Sequence, residues 1–159
     1  MGVGKTTVSK LLCKKLPKCV YLDGDWCWHM DPFVVSHETK AMVIDNICHT
    51  LNNFIKCSVF DNIIFTWVLH EQGIVDAIVS RLDKDDLNIV SVSLVADENI
   101  LKSRLQKDID AGLRSSDVID RSIARLPLYE NLNTVKIDTD NLNAEQVALK
   151  IFRLINNKS

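Results

Sequence analysis

A chain of 159 residues with 47% apolar and 25% charged side chains has the make-up of an ordinary globular protein of one domain, spanning 1–159. Its formal charge of -2 argues against a surface built to grip nucleic acid, whose binding draws on released counterions. No apolar run approaches the ~18 residues of a membrane span and the opening residues hold no signal-peptide core, so a cytoplasmic protein with no membrane partner is expected.

Helix-like and strand-like segments alternate in chain order. Val8, Leu11, Leu12 and Leu16 recur at helical spacing after Lys5, and Pro17 stops that helix. The β-rich run CVYLD (19–23) follows and ends in an Asp-Gly-Asp turn. After Ser36 comes a long amphipathic helix with Met42, Ile47, Leu51, Phe54 and Ile55 assigned to its apolar face. NIIFTWV (62–68) is apolar almost throughout, as a strand covered on both faces would be, and Ile74, Ile78, Val79 and Leu82 mark the next helix. NIVSVSLVA (88–96) reads as a strand, with Asp97 placed to cap the helix of Ile100, Leu101 and Leu105. A polar stretch (108–116) precedes a helix near 117–126, TVKIDT (134–139) is the last strand, and 144–155 the last helix. Strands alternating with helices of this length predict an α/β fold, a parallel sheet between helical layers. The five cysteines, Cys13, Cys19, Cys27, Cys48 and Cys57, are odd in number and lack CxxC spacing, which fits free thiols in a reducing compartment.

Several groups of residues have chemistry to offer. MGVGKTT at the start holds the second half of a phosphate-binding loop. In it the backbone N–H groups of Val3, Gly4, Lys5 and Thr6 point at phosphate oxygens, with Gly2 and Thr7 beside them. Lys5 reaches the β- and γ-phosphates, and the Thr6 hydroxyl ligates Mg²⁺. An N-terminal helix that merely contains Gly-Lys-Thr is the plain alternative. Asp23 and Asp25 sit at the carboxyl end of the first visible strand, where open α/β sheets bind ligands. One carboxylate, Asp23, serves the metal; the other, Asp25, accepts a proton from a hydroxyl being phosphorylated. An Asp-Gly turn that only ends a strand is the competing reading. Trp26, Trp28 and Trp67 lie at the same edge and either wall a substrate pocket or belong to the core. Finally Arg104, Lys107, Arg114, Arg121 and Arg125 place positive charge on a polar segment suited to a lid, about 104–126. The bland reading of each is a solvated helix face. The turn at 139–142 is a weaker candidate for contact with an adenine.

In the order GVGKTT, helix, YLDGD, strand, helix, strand, RLQK, R…D…RL…Y and IDTD, the chain resembles the small P-loop kinases over essentially its whole length. These include shikimate and gluconate kinases, nucleoside monophosphate kinases and antibiotic-modifying relatives. The resemblance implies a three-layer P-loop NTPase fold with strand order 2-3-1-4-5. Arg114, Asp117, Arg125, Leu126 and Tyr129 resemble the lid end of adenylate kinases, which implies that Arg114 and Arg125 contact phosphates. Asp23 and Asp25 look like the acidic pair of shikimate-kinase-type enzymes. The family's central first strand and first loop glycine have no counterpart here, so a leading segment upstream of Met1 is expected, a rearranged sheet being the alternative. Lys107 stands near where the family has arginine, paired glycines that would favour shikimate are missing, and no lid cysteines are present to bind zinc.

The reading that follows is an ATP- and Mg²⁺-dependent phosphotransferase acting on a small molecule: a nucleotide, a sugar-like compound or a drug hydroxyl. In it Lys5, Asp25, Arg114 and Arg125 are catalytic, and Gly2 to Thr7 with Arg104 bind the nucleotide. Asp23, Asp25, Trp26 and Trp67 face the acceptor, with Thr6 and Asp23 on the metal. The alternative is a nucleotide-binding protein without catalysis, acting by sequestering a ligand or contacting a partner. The sequence carries no signal of oligomeric state.

Overall fold

A computed structural model describes residues 2–83 and 87–156. Its elements are α1 (Lys5–Lys15), β1 (Cys19–Asp23), a 3-10 turn (Gly24–Trp28), α2 (His37–Lys56), β2 (Asn62–Thr66), α3 (Gln72–Val79), β3 (Val92–Val95), α4 (Glu98–Asp110), α5 (Val118–Ile123), α6 (Leu126–Glu130), β4 (Val135–Asp138) and α7 (Ala144–Asn156).

The strands pair in parallel as two short ladders, β1 with β2 and β3 with β4. Among the described residues no ladder joins β2 to β3. Instead α1 bridges the halves: Val8 and Leu12 pack with Ile137, Val147, Ala148 and Ile151, and Ile64 of β2 with Val92 and Leu94 of β3 lie against the same cluster. The opposite face of the first ladder, with Leu22, Ile63 and Phe65, is closed by Val43, Ile47, Cys48 and Leu51 of α2 and Ile78 of α3. Ile64 thus points to one layer and its neighbours to the other, the period-two alternation of a strand between two helical layers.

Several sequence expectations are adjusted. The apolar run at 62–68 forms a strand only to Thr66, and every residue of β2 is half-buried rather than enclosed, because one of its edges carries no neighbouring strand. The strand expected at 88–96 begins only at Val92. In α2, whose Ser36 start is a capping box with Thr39, the buried face runs through Val43, Ile47, Cys48 and Leu51, while Met42 is exposed. The helix expected near 117–126 divides into α5 and α6, with Pro127 in the first turn of α6, where its missing N–H costs nothing. All five cysteines are free thiols.

Candidate active site

The loop before α1 is built on its glycines. Gly2 (φ 75°) and Gly4 (φ 86°) both take left-handed backbone conformations that side chains resist. A Cβ on Gly2 would lie 2.8 Å from Leu105 Cδ2 and 2.9 Å from Leu101 Cδ1, so α4 presses directly on the loop backbone. Val3 packs beside those leucines in a third apolar cluster with Val118. Gly4 caps α1 without a side-chain bond and no acid stands in the first turn, so neither a side-chain cap nor a first-turn carboxylate offsets the partial positive charge of the helix start.

Lys5 is half-buried at this helix start. Loss of solvent holds its ammonium below the ordinary lysine value, opposed by the carboxylates of Asp25 and then Asp23 and reinforced by the Arg114 guanidinium. Four charges that the sequence scatters between positions 5 and 114 therefore act on one another in space. The Asp23 carboxylate is fully engaged. Its Oδ1 accepts the Asp25 backbone N–H (3.1 Å), and its Oδ2 accepts the Tyr21 hydroxyl (2.9 Å) and the Thr6 hydroxyl (3.4 Å). Asp25 Oδ1 accepts the indole N–H of Trp67 at 3.1 Å. Trp67 also packs in the core with Leu22 and Ile47, as the core reading of this residue has it. Gly24 fits under its ring only for want of a side chain, since a Cβ would lie 2.5 Å from Trp67 Cγ. Trp26 is 59% exposed and stands edge-on to the Tyr21 ring at 5.6 Å. Trp28 belongs to the core and touches Phe33.

The remaining arginines divide. Arg104 reaches across to the end of β4 and donates to the Thr139 hydroxyl (2.9 Å) and carbonyl (2.7 Å). With Gly2, Val3, Gly4, Val8, Thr139, Leu142, Ala144 and Val147 it lines a cavity of about 210 Å³ beside the loop. The weakly favoured turn at 139–142 thus adjoins the phosphate loop. Arg114 pairs with Asp108 (2.9 Å) and lies near enough to Lys5 to influence it. Arg121 is held by Asp117 on the surface (2.9 Å). Arg125 begins α6 beside Tyr129, whose hydroxyl is pushed up by burial and eased by that guanidinium; its charge is not among those acting on Lys5. Lys107 is exposed.

Residue types alone did not single out Tyr21 or Thr66. Alternation along β1 does put Tyr21 on the same face as Asp23, and Thr66 is the polar end of an apolar strand; each is a signal that register would have sharpened.

The pattern of the AAA domain family matches residues 1–120. The chain belongs to this family. It is 24% identical to a shikimate kinase of Dehalococcoides mccartyi, the match covering 95% of this chain and 86% of that protein. A sugar kinase from a Janibacter species superposes with a TM-score of 0.71 at 15% identity, covering 98% of this chain and 89% of that one. The tunicamycin resistance protein of Deinococcus radiodurans gives 0.70 at 18% identity, covering 94% and 90%. At these identities the structural likeness is one of fold, and the fold is the P-loop α/β architecture: the alternation of elements predicts its α/β class, and the resemblance to small P-loop kinases implies the rest. As an AAA-domain member the chain has the loop residues Gly2–Thr7 inside the matched region, together with Asp23, Asp25, Trp67, Arg104 and Arg114. Among the described residues no helix is long and apolar enough to cross a membrane, and no cluster of His, Cys, Asp and Glu could hold a metal by protein side chains alone.

Proposed function

We propose that this AAA-domain protein is a small-molecule kinase that transfers the γ-phosphoryl group of ATP, with Mg²⁺, to a hydroxyl of its acceptor. The observation that carries the reading is the convergence of Asp23, Asp25 and Arg114 on Lys5 at the open start of α1. Phosphoryl transfer asks a protein mainly for position and positive charge, and this arrangement offers both. Backbone N–H groups of Val3 to Thr6 cradle the phosphates, with Gly2 and Thr7 at either end of the cradle. Lys5 and Arg114 offset charge on the migrating group. Arg125, by the adenylate-kinase likeness, joins them when the segment 104–126 closes. The cavity beside Arg104 and Thr139 takes the base.

The donor set fits Mg²⁺: a Thr6 hydroxyl and the Asp23 carboxylate are hard oxygen groups close together, and such an ion keeps most of its water and shares the rest with phosphates. Bound there, it would neutralise phosphate charge. Asp25, aimed by Trp67, accepts the acceptor's proton as the oxygen bonds to phosphorus and ADP departs. Trp26, exposed at the rim, faces the acceptor. The names of the relatives, shikimate kinase and sugar kinase, support an acceptor that is a small hydroxylated compound.

The test is acceptor-dependent ATP consumption over a panel of sugars, hydroxy acids and nucleosides. Turnover abolished by Lys5→Ala and crippled by Asp25→Asn supports the kinase. Mg·ATP binding without any acceptor-dependent turnover would instead favour a nucleotide-binding protein that does not catalyse.

A further inference from the structure

Tyr21 has no part in the roles above, yet its hydroxyl sits between the two strands at the site. Alternation along β1 turns Tyr21 and Asp23 to one face, and the parallel register sets Asp23 opposite Thr66. Tyr21 Oη lies 2.9 Å from Asp23 Oδ2 and 3.0 Å from Thr66 Oγ1. A phenol has one proton, and an ionised carboxylate only accepts, so the order is fixed: Thr66 donates to Tyr21, and Tyr21 donates to Asp23. The Asp25 N–H holds the other carboxylate oxygen at 3.1 Å. With both oxygens engaged, the carboxylate has one orientation, and Oδ2 is turned to the Thr6 hydroxyl at 3.4 Å.

Resting on the kinase reading, we infer that Tyr21 and Thr66 form a hydroxyl clamp that pre-sets the Asp23 carboxylate beside Thr6, and that this clamp sets how much Mg²⁺ strengthens nucleotide binding. Tyr21 is a positioning residue, acting through Asp23 alone. The edge-on ring of Trp26 packs against Tyr21 and fixes it from the solvent side. A purely structural tie between β1 and β2 makes a different prediction, because it is indifferent to the metal.

The experiment is calorimetric titration of ATP, with Mg²⁺ and again with excess EDTA, into the wild type, Tyr21→Phe, Thr66→Val and Asp23→Asn, each with a thermal melt. Tyr21→Phe keeps the ring and removes only the donor. The expected result is that Tyr21→Phe loses about tenfold of the Mg²⁺-dependent gain, the scale of one hydrogen bond to a charged group, while its affinity in EDTA stays as in the wild type. Thr66→Val moves in the same direction by less, and Asp23→Asn by at least as much. A Mg²⁺ gain retained in both Tyr21→Phe and Thr66→Val overturns the clamp, as does an equal loss with and without metal that follows the fall in melting temperature. A wild type that binds ATP under neither condition overturns the kinase reading and the clamp with it, which separates that failure from a clamp that alone is wrong.

Discussion

Two strand ends in this molecule carry the same spacing of acids, and they behave differently. Asp23-Gly24-Asp25 closes β1 and Asp138-Thr139-Asp140 closes β4, each by the same local turn. The second backbone N–H is bonded to the first carboxylate at 3.1 Å in one and 2.8 Å in the other. In the β4 turn the acids serve the protein's own backbone: Asp140 Oδ1 also accepts the Asp97 N–H at 2.8 Å, and Thr139 between them is locked to Arg104. In the β1 turn the acids face Lys5 and Thr6 and accept from side chains. An Asp-x-Asp turn is thus a local device, and its tertiary neighbours decide whether its charge is available to chemistry.

That contrast can be broken by substitution. Asp25→Asn is expected to lower turnover about 10²–10⁴-fold, the usual worth of a positioned base, with Mg·ATP affinity little changed. Asp140→Asn should leave turnover near wild type and lower the melting temperature instead. Steady-state rates and melts on the two variants check both halves.

Next in size is Gly24→Ala, which drives a Cβ into Trp67; overpacking of this kind costs about 1–3 kcal/mol and would also part Trp67 from Asp25, both visible in a denaturant titration followed by tryptophan fluorescence. Arg104→Ala leaves the buried Thr139 hydroxyl without its donor and should cost about 1–2 kcal/mol, with a double-mutant cycle against Thr139→Val showing coupling.

Smaller still is a pH effect. Because Lys5 titrates below its ordinary value when folded, the unfolded chain binds more protons in the window that ends at 10.5, and stability contributed through Lys5 rises with pH there. The melting temperature of the wild type relative to Lys5→Met should therefore climb as the pH rises toward 10.5; a flat difference contradicts the shift. Least of all, Arg121→Ala removes an exposed pair with Asp117 and should change stability by at most about 0.5 kcal/mol.

Much of this was legible in the sequence, for reasons that can be named. CVYLD coincides with β1 because β-branched and aromatic residues there are flanked by Pro17 on one side and Gly24 on the other. Asp97 caps its helix as its side chain predicts, and the helix expected after Ser36 begins there. The buried face of α2 takes Val43 rather than Met42, since a 20-residue helix with apolar residues spread around it leaves the buried stripe to its packing partners. β2 and β3 are shorter than their apolar runs because such runs mark burial, whereas a strand also needs a ladder, and among the described residues neither has one on the edge between them. At the site, the acids and the loop were visible as types. The clamp of Tyr21 and Thr66 was not, because it depends on register, and the approach of Arg114 to Lys5 spans too much sequence for local pattern to report.

The central claim is that the start of α1, with Lys5 among Asp23, Asp25 and Arg114, is a nucleotide-phosphate site. Calorimetric titration of Mg·ATP into the wild type and Lys5→Ala tests it most directly. The account predicts one-site binding by the wild type that falls at least about tenfold in Lys5→Ala, with both proteins melting as folded chains. Equal binding by the two, or none by a wild type that melts cooperatively, would contradict it.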